Sequence, residues 1–183
     1  MKKILSYITI LGLLTGCSCA ADITASTPTK EVEKFFNNYQ TLHNDVVAQL
    51  DDVVEQEMTF SPEQKDSYKD IMKKHYQDLT YEIKDEEVNG DNATVTVEIE
   101  VRDYSKIMEE ADNYFLEHPE EFNDETGTYN ANLFNEYRLG KIKEAKEKVK
   151  YTLNLTLTKV EEEWELDDIS DMDESKIHGT YKY

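Results

Sequence analysis

The sequence predicts an α+β domain in which N-terminal helices pack on a curved, antiparallel four-stranded sheet, with a helical insertion between the second and third strands. Three observations predict it. Apolar residues recur every three or four positions from Val32 to Tyr76, the spacing of a helix face. The period then drops to two in the segments around Val97 and Leu155, the spacing of strands with one wet face. Helices come first and strands follow, the order in which a sheet can wrap around a helix.

The elements follow in chain order. Thr27-Pro28 reads as a helix start, threonine as N-cap and proline in the first turn. Val32, Phe35, Phe36, Tyr39, Leu42, Val46, Leu50, Val53 and Val54 then form one stripe, on a single long helix or on two with a bend near Asn44. Ser61-Pro62-Glu63-Gln64 has the spacing of a capping box and opens a second helical run, buried through Tyr68, Ile71, Met72 and Tyr76. Leu79, Tyr81 and Ile83 alternate with polar residues, Asn89-Gly90-Asp91 supplies a turn, and Ala93 to Val101 alternate again: a hairpin. Residues 105–148 return to helical spacing, broken by a polar loop from His118 to Tyr129. Tyr151, Leu153, Leu155 and Leu157 form the third strand, Glu161-Glu162-Glu163 a charged turn, and Trp164 and Leu166 the last strand. Ile169 falls out of phase, so a bulge or strand end is expected there. Residues 171–183 read as a polar, mobile tail.

Ahead of the domain, Lys2 and Lys3 begin a leader whose apolar core runs from Ile4 to Leu14. About eleven residues at ~1.5 Å each make a helix of roughly 16 Å, about half of a ~30 Å hydrocarbon core. That is the h-region of a secretory signal rather than a permanent span. It ends at Leu14-Thr15-Gly16-Cys17, which resembles the lipobox of bacterial lipoproteins. The resemblance implies a signal peptide of residues 1–16, cut before Cys17, and a diacylglycerol anchor bearing fatty acyl chains such as palmitate on that thiol. Cys19 lacks an apolar residue three positions before it and reads as part of the tether, residues 17–27. The folded domain then has no internal disulfide and depends on its core.

The formal net charge is −20, and removal of Lys2 and Lys3 with the leader lowers it by a further two. Such a surface repels nucleic acid and anionic headgroups, so neither is an expected partner. The rest of the chain, with no Pro/Gly-rich linker, reads as one domain over residues 28–170.

Leu79-Thr80-Tyr81-Glu82-Ile83, the turn Asn89-Gly90-Asp91, the strand Ala93-Thr94-Val95-Thr96-Val97, Asp103-Tyr104-Ser105-Lys106-Ile107-Met108 and Trp164-Glu165-Leu166 are similar to uncharacterised lipoproteins of Gram-positive bacteria. Those are placed with the nuclear transport factor two-like, or cystatin-like cone, domains. The resemblance implies an extracytoplasmic domain whose concave sheet and first helix enclose an apolar pocket, its mouth covered by the insertion. Phe35, Phe36, Tyr39, Tyr81, Tyr151 and Trp164 are the candidate pocket residues. The same aromatics read more readily as core filling, since buried aromatics mostly pack.

No zinc-binding His-Glu-x-x-His, no Gly-x-Ser-x-Gly elbow and no glycine-rich phosphate loop occurs. His43, His75, His118 and His178 lack ligand spacing, and neither a metal nor a cofactor is expected. Asp167, Asp168, Asp171, Asp173 and Glu174 could collect calcium but lack the loop pattern of an EF-hand. Two functions from different classes fit: a noncatalytic module holding a small apolar ligand or a protein partner, and a cone-fold isomerase or dehydratase with an acid or base such as His43 or Asp45 in its pocket. The first is preferred because no acid/base signature is present. Cone domains also pair through the outer sheet face, here Thr94, Thr96, Glu98, Glu100, Thr152, Asn154, Thr156 and Thr158, which leaves a homodimer open.

Overall fold

The computed structural model describes residues 26–182; Cys17 and Cys19 lie outside them. Thr27 accepts a hydrogen bond from the Lys30 amide and Pro28 fixes the first turn of α1 (Pro28–Gln40), which buries Val32, Phe36 and Tyr39. The expected bend is a full break: Leu42 adopts a left-handed φ of 55°, and the His43 imidazole caps α2 (Asn44–Gln56). α3 (Pro62–Asp78) opens with the capping box, Ser61 and Gln64 each satisfying the other's backbone amide.

β1 (Thr80–Asn89) and β2 (Asn92–Arg102) form the hairpin, turned at Gly90 with φ of 64°. β3 (Lys148–Val160) pairs with β2, and β4 (Glu163–Leu166) with β3, giving an open antiparallel sheet of order β1-β2-β3-β4. The register places Val95 opposite Leu155 and Val97 opposite Leu153, so every core side chain meets another across the ladder. Glu161 and Glu162 take left-handed φ values of 48° and 70°, as a two-residue hairpin turn matched to strand twist requires. The strand stops at Leu166, before the out-of-phase Ile169. On the outer face Lys84 lies between Glu82 and Glu98, at 2.6 and 3.6 Å, and Lys150 reaches Glu98 at 2.9 Å.

Between β2 and β3 the chain carries α4 (Tyr104–Glu117), a short 3₁₀ turn at Pro119–Phe122 and α5 (Ala131–Glu144). α4 packs on α5, and α5 on α3. Phe115, Phe122, Phe134, Tyr114 and Tyr137 make an aromatic cluster at the far end of this insertion, ring centroids 4.9 to 6.3 Å apart.

The polar, mobile tail expected from Asp171 onward is corrected. Ser170 accepts from the Asp173 amide and caps α6 (Asp171–Ile177), whose last residue is fully buried in the core. Two further contacts hold this segment. The Ile177 carbonyl lies 2.8 Å from His75 Nε2, and the Gly179 carbonyl accepts from the Tyr104 and Ser105 amides at 2.8 and 2.9 Å. Gly179 has φ of 69°, and a Cβ there would run into the Arg102 carbonyl oxygen.

Candidate functional site

The six aromatics singled out in the sequence do not form one group. Phe36 stacks on Tyr81 at 4.9 Å and touches Phe35 edge-on, and Phe35 meets Tyr39. Tyr151 lies apart, edge-on to Tyr181, and Trp164 packs half-buried against the core while its amide donates to the Ser26 hydroxyl. Phe36 and the inward residues of β2 and β3 are nearly inaccessible, so the layer between α1 and the sheet is filled by side chains.

The space that remains lies among the helices. One cavity of about 280 Å³ is lined by Phe60, Tyr68, Met72, Tyr104 and Met108, with Asn135 and Arg138 contributed by α5. A neighbouring cavity of about 320 Å³ lies among α1, α2, α3 and α6, lined by Tyr39, Leu50, Tyr76, Asp52, Glu174 and His178. Val53, Tyr68 and Met72 are common to both linings. Of the sequence candidates, Tyr39 lines the second cavity and the other five line neither.

Four tyrosines set the chemistry. The hydroxyls of Tyr39, Tyr68, Tyr76 and Tyr104 have no hydrogen bond to any described residue, although Tyr76 and Tyr104 are only 4% and 3% exposed. Burial pushes Tyr104 up to about 12; burial, then the Glu174 carboxylate, pushes Tyr39 up to about 12 as well. Tyr76 is raised further by burial and by Tyr39, Tyr68 and Glu174, which also shows how closely these groups converge. All therefore keep their protons at neutral pH and present both a donor and an acceptor.

Charge is arranged unevenly. Arg138, at the first cavity, has a buried Nε without a hydrogen-bond partner; Asp112 is 3.9 Å away and the Phe134 ring lies under the guanidinium. In the second cavity Asp52 and Glu174 carry no ion pair among the described residues, and burial lowers His178, leaving its imidazole neutral at neutral pH.

The histidines separate accordingly. His43 caps α2 with its Nδ1 3.3 Å from Asp45, away from either cavity; His118 stacks on Tyr114. His75 is buried in the core, Nε2 on the Ile177 carbonyl and Nδ1 unpartnered, with burial pulling it down to about 4. The acidic run is occupied by local structure: Asp167 accepts from Thr158, and Asp173 from Ser170 and Lys176. Among the described residues no three His, Cys, Asp or Glu side chains gather as a metal site would need.

His75 and His178 are the residues sequence reasoning placed least well. His75 follows Ile71 and Met72 at helical spacing, which was the available signal. His178 had none, because its neighbours come from three other helices.

Among the described residues no helix is long and apolar enough to cross a membrane. No curated protein and no solved structure matches the chain. The family model of the prokaryotic membrane lipoprotein lipid attachment site matches residues 1–18, which contain a single cysteine, Cys17; the chain has the N-terminus of a membrane-anchored bacterial lipoprotein.

Proposed function

We propose that this lipoprotein displays, on the extracytoplasmic face of a Gram-positive membrane, a noncatalytic binding module that takes a small ligand into the paired cavities among its helices. Cys17 carries the lipid, and two acyl chains hold far more firmly than one. The helices-then-sheet order and the meander β1-β2-β3-β4 support kinship with cone domains. The observation that carries the ligand reading is the pair of adjoining cavities walled by the rings of Tyr39, Tyr68, Tyr76 and Tyr104 together with Met72, a largely apolar lining with a few polar groups. His178 is the one imidazole in either lining, and no carboxylate hydrogen-bonds its ring, so the orienting partner of a general base is missing; this supports binding over isomerase chemistry.

A native mass spectrum of the lipoprotein released from its own host's membranes tests the reading. An added mass that disappears on denaturation supports it, and its absence at every charge state counts against it. Val53→Trp sharpens the result: the residue is exposed and common to both linings, so an indole there fills cavity volume while the fold survives, and the added mass is expected to vanish.

A further inference from the structure

Resting on that reading, we infer that the second cavity is a site for a small organic cation, an amine with an apolar substituent, held between tyrosine rings and two free carboxylates.

The lining contains no lysine or arginine. It does contain Asp52 from α2 and Glu174 from α6, neither of them ion-paired among the described residues, in a chain where many other carboxylates pair with lysine. Tyr39 and Tyr76 meet edge-on at 4.9 Å and Tyr76 lies 5.7 Å from His178, so the wall is aromatic on several sides. Ring faces attract a desolvated ammonium group, and carboxylates at the rim offset the cost of removing it from water. An N–H of the amine has acceptors in the hydroxyls of Tyr39 and Tyr76, two side chains of the lining that are nine-tenths buried and whose hydroxyls have no hydrogen-bond partner among the described residues. His178, neutral because buried, adds no opposing charge. The net charge of −20 raises the local concentration of cations around the whole molecule.

An anion is the poorer occupant. The cationic side chain in the linings, Arg138, belongs to the other cavity, beside Asp112 and over Phe134. The apolar substituent of the amine would rest on Leu50, Val53 and Met72.

The test is calorimetric titration of the lipoprotein in lipid nanodiscs, with empty discs as blank, using hexylamine, hexanol and hexanoate. Hexylammonium is expected to bind about tenfold more tightly than either of the others. Glu174→Gln, an exposed change that leaves melting unaltered, is expected to remove most of that preference, and Tyr76→Phe to weaken hexylamine further. Equal binding of hexanol and hexylamine overturns the cation assignment while the ligand-binding reading stands. Hexylamine preference that survives Glu174→Gln overturns the site. Failure of all three probes to bind overturns both.

Discussion

The sheet side and the helix side of this domain draw on similar apolar residues, yet one is filled and the other is not. Along β2 and β3, aliphatic side chains meet in register, Val97 against Leu153 and Val95 against Leu155, and Phe36 of α1 closes the layer. A repeating ladder lets small, stiff side chains fill space without remainder. Across the molecule six helices converge without a common repeat, and tyrosines and methionines form much of the junction. Those bulky groups leave cavities, and their hydroxyls lack partners. Close packing therefore sits on the sheet side, and unfilled space on the helix side.

The largest expected effect breaks the sheet side. Leu153→Ala, in a site with no accessible surface, is expected to cost about 3–4 kcal/mol in urea denaturation, whereas Met108→Ala beside the first cavity costs about 1 kcal/mol or less because space already exists there. A similar cost for both would erase the contrast.

The second effect uses acid to probe where helix side and core join. His75 ionises near pH 4 in the folded chain against 6.5 when exposed. Above pH 6.5 both states hold a neutral ring. As pH falls toward 4 the unfolded chain takes up a proton that the folded chain refuses, so stability drops by about 3 kcal/mol over that window and levels off below it. His178 contributes in the same direction. Denaturation midpoints measured from pH 7 to 4 should flatten markedly in His75→Gln.

Gly179→Ala ranks third, at about 2 kcal/mol: the left-handed φ is strained for alanine and the Arg102 carbonyl must move. Loss of amide protection at Tyr104 and Ser105 by hydrogen exchange would accompany it. The smallest effect is Lys150→Ala on the wet sheet face, expected to leave the melting temperature unchanged, since exposed ion pairs contribute little.

These contrasts also explain what the chain reveals when read in one dimension. The starts of α1 and α3 were legible because Thr27-Pro28 and Ser61-Pro62-Glu63-Gln64 satisfy their amides locally. The hairpin was legible from Asn89-Gly90-Asp91 and strict alternation. α6 was not: it is short, has one buried residue, Ile177, and owes its position to His75 and the α4 amides, although Ser170 three residues before Asp173 was a cap in plain sight. The cavities were illegible for a related reason. Tyr39 was picked out as an aromatic in an apolar stripe, but the partners that make it a site, Tyr76, Glu174 and His178, arrive from elements up to the far end of the chain.

That far end has a consequence for the order of events in the cell. The Gly179 carbonyl is the acceptor for the first amides of α4, and Ile177 plugs the core beside His75, more than a hundred residues upstream. A chain made from its N-terminus cannot complete these contacts until residues 177–179 are available. Closing such distant pairs is slow, so this segment is expected to lock the domain late in folding.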